Sequence, residues 1–171
     1  KKDTIIIGNT NSKNFLSGNY LNIKIDNLSS KLSSSTIRYC DQIIKKIKNF
    51  SFDLIEIHNR PLVFNYISKR LNKKFILYFH NDPLNMKGSI SKKERLDLLN
   101  KVDKIIFVSK WVQKRFFNGL DQKLLNKTEV VYPSINQVKK LPKKEKWISF
   151  VGKLNSSKGY DIYKDAIIKI L

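Results

Sequence analysis

The sequence predicts an α/β fold in which a parallel sheet carries helices on both faces. Short apolar clusters rich in Ile, Val and Phe recur along the chain, and each has the length of a buried strand. Stretches with the apolar spacing of a helix lie between several of these clusters. Because strands that alternate with helices pair in parallel, this order predicts the sheet. The predicted strands are residues 4–7, 20–25, 53–57, 75–79, 104–108, 129–132 and 147–151.

Two predicted helices in the first half of the chain have recognisable starts. Thr36 is placed to cap the first, because its hydroxyl can accept a hydrogen bond from a first-turn amide. Pro61 fits the first turn of the second, which is predicted to run to Leu71, because an amide hydrogen is not needed there. The apolar face of the first helix consists of Ile37, Cys40, Ile44 and Ile47.

The later helices also carry end signals. Ser91 and Glu94 have the spacing of a capping box, in which each side chain binds the backbone of the other residue. Ser109 opens a further helix, and Gly119 can close it because glycine readily adopts the left-handed conformation. A last helical pattern covers residues 160–171.

The pattern divides the 171 residues into one domain and a shorter second piece. Residues 1–138 hold enough strands and helices for a cored domain of ordinary size. Residues 139–146 are charged, include Pro142 and lack apolar periodicity, so they are predicted to be a linker. Residues 147–171 supply one strand and one helix, which cannot form a domain alone.

Composition excludes several classes of protein. No apolar run approaches the length of a membrane-spanning helix, and the first residues are not those of a signal peptide. Cys40 is the only cysteine, so neither an internal disulfide nor a cysteine-based zinc site is expected. These features predict a cytoplasmic protein.

The formal net charge of +20 suggests an anionic partner. The basic residues are mostly lysines scattered over many segments. Arginine, whose planar guanidinium binds phosphates and base edges better, is scarce. Specific nucleic-acid binding is therefore not expected. Peripheral contact with an anionic membrane surface suits this charge better.

Polar residues follow three of the predicted strands where each strand ends. In doubly wound sheets, ligands gather outside the carboxyl ends of the strands. We therefore expect these residues to converge on one edge. They are His58, Asn59 and Arg60 after the first of the three strands, His80, Asn81 and Asp82 after the second, and Gly152 with Lys153 after the third.

Several of these residues have a plain structural alternative to a functional role. An imidazole at His58 or His80 suits proton transfer or hydrogen bonding to a hydroxyl near neutral pH, but it can also anchor a neighbouring loop. Asn81 and Asp82 can bind hydroxyls, although Asn-Asp-Pro is equally a turn signal.

A possible diphosphate site lies at the entrance to the last predicted helix. Gly152 with Lys153, and Lys158 with Gly159, place two cations and two small residues there. Backbone amides at a helix start and nearby ammonium groups bind phosphates. No cluster of metal ligands is visible in the sequence, and no metal is predicted.

The order of these segments resembles the GT-B glycosyltransferases, and more narrowly the retaining family four, whose bacterial members build lipopolysaccharide and other surface glycans. The resemblance rests on the residues after the predicted strands and covers nearly the whole chain. Its segments are residues 52–61, 78–83, 106–109, 130–133 and 150–153, followed by Lys158 and Gly159.

The resemblance implies a function and roles for individual residues. Such enzymes have two Rossmann-like domains that face a cleft, the first binding mainly the acceptor and the second the nucleotide-sugar donor. His80 would contact the donor sugar, Gly152 and Lys153 would touch the donor diphosphate, and Lys158 would neutralise it, without a catalytic metal or a cofactor. The acceptor or cleft candidates are His58, Asn59, Arg60, Asn81, Asp82 and Ser109.

The chain also departs from the family pattern at both ends. Its start resembles the approach to the family's second strand, so we expect the first strand and helix of the domain to be missing. The second domain stops after one helix, so this fragment is expected to be inactive by itself. Two alternatives stay open: a non-catalytic basic Rossmann-like module that binds nucleic acid or an anionic membrane, and another GT-B enzyme such as a nucleotide-sugar epimerase.

Overall fold

The computed structural model describes residues 4–10, 19–25, 34–135, 143 and 148–170. Their backbone contacts divide the chain into two compact units, Lys1–Ser134 and Ile135–Leu171. Among the described residues, the first unit contains six strands and four α-helices, and the second contains one α-helix.

Strands and helices alternate along most of the first unit. The strands are β1 Ile6–Gly8, β2 Tyr20–Asn22, β3 Leu54–His58, β4 Lys74–Phe79, β5 Lys104–Phe107 and β6 Thr128–Val130. The helices are α1 Ser35–Ile47, α2 Pro61–Ile67, α3 Lys92–Lys101, α4 Lys110–Phe116 and, in the second unit, α5 Tyr160–Ile170. Short 3₁₀ helices occupy Pro83–Asn85, Gln122–Lys127 and Ser156–Lys158.

All paired strands of the described residues are parallel. Strands β3, β4, β5 and β6 form a four-stranded sheet in that order, and β1 pairs with β2 in a separate two-stranded sheet. A helix lies between each two consecutive strands from β2 to β6, as parallel pairing requires of the connecting chain. The predicted α/β, Rossmann-like class is confirmed.

One face of the four-stranded sheet forms the apolar core. Alternate residues of β4 are buried there, namely Phe75, Leu77 and Phe79. The intervening Ile76 and Tyr78 are only half-buried and point to the opposite face, because successive side chains of a strand alternate. The two histidines are on this opposite face, where water and ligands can reach them.

The cap of helix α1 lies two residues before the predicted one. Ser34, not Thr36, is in the extended conformation of a cap, and its hydroxyl accepts a hydrogen bond from the Ile37 amide at 3.3 Å. Ser34 and Thr36 offer the same chemistry, so residue type alone could not separate them. Cys40 faces the core as predicted, and burial raises the pKa of its thiol to about 11.

The starts of the next three helices are where the sequence predicts them. Helix α2 begins at Pro61 but ends at Ile67 rather than Leu71, and turn residues follow. The capping box of α3 is complete: the Ser91 hydroxyl accepts from the Glu94 amide, and the Glu94 carboxylate accepts from the Ser91 amide.

Helix α4 has the predicted cap at Ser109. Its hydroxyl accepts a hydrogen bond from the Val112 amide at 3.3 Å. The helix ends at Phe116, and Gly119 lies in the turn that follows, with a left-handed φ of 73°.

The predicted strand at residues 147–151 is wrong for the part that is described. Residues 148–151 lie in no strand, and Trp147 is outside the described residues. A strand is stabilised by hydrogen bonds to a neighbouring strand. Here the ring of Phe150 packs on Tyr160 and Tyr163 instead, with centroids 5.4 and 5.2 Å away. Of the predicted linker 139–146, only Lys143 is described.

Candidate active site

The ends of β3 and β4 bring the two histidines into contact. Strand β3 pairs with β4 so that His58 lies opposite Tyr78, two residues before His80. The Nδ1 atom of His58 is 2.8 Å from the Nε2 atom of His80. The ring of Tyr78 stacks on both imidazoles, with centroids 5.1 Å from His58 and 4.6 Å from His80. The structure therefore shows the predicted convergence for the first two of the three strand ends, whereas residues 148–151, before Gly152 and Lys153, lie in no strand.

Asn59 joins the two strand ends through its backbone and its side chain. Its amide donates to the Tyr78 carbonyl at 2.8 Å, and its side-chain oxygen accepts from the His80 amide at 2.7 Å. The residue has a φ of 53°, in the left-handed region that asparagine tolerates better than most residues. Asn59 thus holds the backbone of His80 in position.

Glu56 is part of this group, although it was not predicted from the sequence. Its carboxylate oxygen Oε1 is 3.3 Å from Nε2 of His58. Residues two apart in a strand point to the same face, so the spacing of Glu56 and His58 was a signal that could have found the pair. The side chains remain about half exposed, 46% for Glu56 and 52% for His58.

Electrostatics favour the neutral form of His80. Partial burial is the largest cause that lowers its pKa below the ordinary 6.5, and the neighbouring His58 lowers it further. The Glu56 carboxylate opposes them with a smaller raising effect. At neutral pH, His80 therefore offers one N–H donor and one nitrogen lone pair.

The carboxylate of Asp82 is already bound within the fold. It accepts from the Leu84 amide at 3.0 Å, which caps the 3₁₀ turn, and from Nε and Nη2 of Arg115 at 3.0 and 2.8 Å. The Arg115 hydrogen bonds are the main reason that the pKa of Asp82 is lowered. Its side chain is 15% exposed, so this geometry favours the turn interpretation of Asn-Asp-Pro.

The remaining candidates of the first unit have varied surroundings. Arg60 places its guanidinium carbon 5.5 Å from the ring centroid of Tyr39, and its carbonyl accepts from the first turn of α2. Asn81 is exposed next to His80. The hydroxyl of Ser109 accepts the hydrogen bond that caps α4. Contacts of these residues with a ligand remain predictions.

The predicted phosphate-binding residues lie near each other in the second unit. Gly152 is close to the ring of Phe150, and a side chain at this position would approach that ring within 3.3 Å. Lys158 ends the short 3₁₀ turn, and Gly159 follows with a left-handed φ of 71° before α5 begins. Lys153 and Lys158 are both exposed.

Much of the backbone at this helix entrance is hydrogen-bonded internally. The amides of Lys158 and Tyr160 donate to the Asn155 carbonyl at 3.1 and 3.3 Å, and the Gly159 amide donates to Ser156 at 3.0 Å. A phosphate would therefore meet mainly the lysine ammonium groups and the amides of Asp161 and Ile162 in the first turn of α5, which have no acceptor inside the helix.

Among the residues that the structure covers, no group of three His, Cys, Asp or Glu side chains could hold a metal ion. Within the same residues, no helix is long and apolar enough to cross a membrane.

Comparison with known proteins identifies the family. The family model described as Glycosyltransferase Family 4 matches residues 11–138, which is well over half of the chain and includes both histidines. Comparisons with curated proteins and with solved structures found no match. The matched span and the parallel α/β fold agree with the resemblance seen in the sequence, and the chain belongs to glycosyltransferase family 4.

Proposed function

We propose that the protein transfers a sugar, with retention of configuration, from a nucleoside-diphosphate sugar to a glycan or lipid-linked acceptor. The observation that carries this proposal is the fixed imidazole of His80 at the carboxyl end of β4, in a chain of family 4. The products would be bacterial cell-surface polysaccharide or lipopolysaccharide, built at the cytoplasmic face of the inner membrane.

Two sets of residues have different roles in the proposed reaction. His80 contacts the donor sugar, while Gly152, Lys153 and Lys158 meet the diphosphate. Negative charge develops on the diphosphate as it departs, and ammonium groups held nearby stabilise it. Neither a metal nor a cofactor is part of this proposal.

The proposed domain roles follow the same division. Residues 1–138 belong to the acceptor-side domain, and residues 147–171 belong to the donor-binding side, with 139–146 as the linker. His58, Asn59, Arg60, Asn81, Asp82 and Ser109 are the candidates for contacts with the acceptor or the cleft.

A product assay tests the proposal. The protein, expressed from its complete reading frame, is incubated with a panel of nucleoside-diphosphate sugars and lipid-linked or glycan acceptors, and the products are separated and their anomeric configuration is read by NMR. We expect a glycosylated acceptor with the donor's configuration. An epimerised nucleotide sugar, or binding of nucleic acid without any sugar transfer, would refute the proposal.

Lys158→Ala is expected to weaken nucleotide-sugar binding at least tenfold. A charge-assisted hydrogen bond to a phosphate contributes about 1.5–3 kcal/mol, and each 1.4 kcal/mol corresponds to tenfold in affinity. Calorimetric titration with the donor measures the change. The matched control is Lys164→Ala, which removes an exposed lysine from α5 and should leave affinity unchanged. Equal affinities of the two variants would remove Lys158 from the site.

The proposed membrane contact is centred on helix α4. Trp111 is 57% exposed, the exposed Lys110 and Lys114 flank it, and the guanidinium of Arg115 lies 5.8 Å from its ring centroid. Trp111, Lys114, Arg115 and Asn118 also line a shallow cavity of about 250 Å³. An exposed tryptophan among cations suits the interface of an anionic bilayer.

Removing both lysines of this patch is expected to weaken binding to anionic vesicles about thirtyfold. Each basic residue near an anionic surface contributes about 1 kcal/mol. Sedimentation with phosphatidylglycerol vesicles should separate Lys110→Ala/Lys114→Ala from the control Lys45→Ala/Lys46→Ala, which removes the same charge from α1. Neutral phosphatidylcholine vesicles should bind neither well. Equal losses in the two double variants would mean that only net charge matters.

A further inference from the structure

Glu56, His58 and His80 form a chain of side chains across the ends of β3 and β4. The carboxylate of Glu56 is 3.3 Å from Nε2 of His58, and Nδ1 of His58 is 2.8 Å from Nε2 of His80. The contacts use three of the four ring nitrogens. The fourth ring nitrogen, Nδ1 of His80, takes no part in this chain of contacts and is therefore the one that can bind a ligand.

The distances restrict where the protons can be. Two imidazole nitrogens at 2.8 Å share one proton, so one ring donates and the other accepts. If His58 were neutral and donated from Nδ1, its Nε2 lone pair would face the Glu56 carboxylate, and two acceptors would repel each other. The proton of neutral His58 therefore lies on Nε2, toward Glu56, and Nδ1 of His58 accepts from Nε2–H of His80.

We propose that Glu56 and His58 are positioning residues that select the tautomer of His80 and leave its Nδ1 as a hydrogen-bond acceptor for a sugar hydroxyl. This inference rests on the proposed function, in which His80 meets the donor sugar. The arrangement follows the general rule that the hydrogen-bond partner of one imidazole nitrogen determines whether the other nitrogen is protonated.

The same chain explains how the site takes up a proton on acidification. One added proton can bind at Nδ1 of His80. Its free nitrogen changes from acceptor to donor, so the site would lose its hydrogen bond from a hydroxyl proton.

Other polar groups around His80 do not provide this switch. Tyr78 stacks on both rings, and its hydroxyl donates to the Val131 carbonyl at 3.2 Å. Asn59 binds the backbone of His80. Farther across the sheet, Lys104 on β5 and Glu129 on β6 pair with each other at 2.6 Å. Besides burial, the pKa of His80 accordingly responds to His58, which lowers it, and to Glu56, which raises it.

Nitrogen NMR of the 171-residue chain tests the proposal, because its only histidines are the two in question. At a pH above both titrations, ¹⁵N-labelled protein should show His80 protonated at Nε2 and His58 protonated at Nε2. A scalar coupling across the hydrogen bond should join Nε2 of His80 to Nδ1 of His58. A coupling with the donor and acceptor reversed, or two freely exchanging imidazoles, would overturn the assignment.

Two substitutions sharpen the test because their effects have opposite signs. Glu56→Gln removes the charge that raises the pKa of His80, so His80 should titrate at lower pH. His58→Phe keeps an aromatic ring but removes the nitrogens and the repulsion, so His80 should titrate at higher pH and lose its fixed tautomer. Glu129→Gln, on the same face of the sheet, is the control and should change neither property.

Backbone spectra show whether each variant is folded. If the role of Glu56 were purely structural, Glu56→Gln would leave the titration of His80 unchanged. The outcome is separate from that of the proposed function. Failure of sugar transfer with an intact proton arrangement would refute the function alone, whereas normal transfer by Glu56→Gln with an unchanged His80 titration would refute the positioning role alone.

Discussion

Replacing His80 with alanine is expected to lower the rate of sugar transfer about a hundredfold or more. A side chain that transfers a proton or donates a hydrogen bond in the transition state typically contributes 10²- to 10⁴-fold, and a hundredfold corresponds to about 2.7 kcal/mol of barrier. Because His80 is at an exposed strand end and outside the buried core, the variant should fold. Turnover of the protein from the complete reading frame is the measurement, with the melting temperature as the check on folding.

Two further variants identify the nitrogen that matters. The amide of Asn at position 80 can occupy the place of Nδ1, whereas the longer Gln can reach the place of Nε2 and keep the contact with His58. If Nδ1 faces the sugar, His80→Asn should retain more activity than His80→Gln. Near-normal turnover of His80→Ala in a folded protein would reduce His80 to a residue that anchors its loop.

The pH dependence of the reaction has a definite sign. The pKa of His80 is lowered, mainly by burial and then by His58, so the neutral form persists below the ordinary 6.5. The rate should therefore be steady from neutral pH down past 6.5 and fall only when more acidic solution protonates His80. His58→Phe should move this fall to higher pH, because it removes the repulsion that lowers the pKa.

The sequence predicted the polar ends of β3 and β4 well because their position depends on chain order. Once the strands are parallel, His58 and His80 must reach the same edge of the sheet, whatever the details of packing. Glu56 was missed because it lies inside a strand, where a polar residue looks like an ordinary solvent-facing position. Its role depends on the distance to His58, and sequence spacing restricts that distance without determining it.

Predictions were less accurate where they depended on a choice between similar side chains or on hydrogen-bond partners outside the segment. The cap of α1 moved from Thr36 to Ser34 because two similar hydroxyls compete within one turn. Residues 148–151 have the composition of a strand, yet a strand exists only through hydrogen bonds with a neighbour. The ion pair between Arg115 and Asp82 joins two residues that are far apart in sequence, and no local sequence pattern indicates this pair.

Arg95 is the second residue whose loss should have a large effect, in this case on stability. It lies on α3 and is 2% exposed. Its Nη1 donates to the carbonyls of Ile90 at 2.6 Å and Ser89 at 3.3 Å, and its Nη2 donates to Asn118 at 2.8 Å. One guanidinium thus joins the loop before α3 to the turn after α4.

The bonds of Arg95 matter because the group is costly to bury. Its Nε atom is buried without a hydrogen-bond partner, and burial is the main cause that lowers its pKa. The planar fork of donors offsets this cost by satisfying three carbonyls at once. One of them belongs to Ser89, which is fully buried and whose hydroxyl donates to the Pro83 carbonyl at 2.6 Å, so the loop that follows His80 depends on the same contacts.

Arg95→Ala is therefore expected to lower the free energy of unfolding by about 2–4 kcal/mol, because it opens a cavity and leaves a buried carbonyl without a donor. Arg95→Met fills much of the volume and should recover only the packing part of this loss. The control on the same helix is Lys101→Ala, which removes an exposed pair with Asp97 and should cost less than about 0.5 kcal/mol. Urea unfolding of the four proteins measures the differences. A loss for Arg95→Ala no larger than that for Lys101→Ala would show that water replaces the guanidinium without penalty and that the two loops hold together by other contacts.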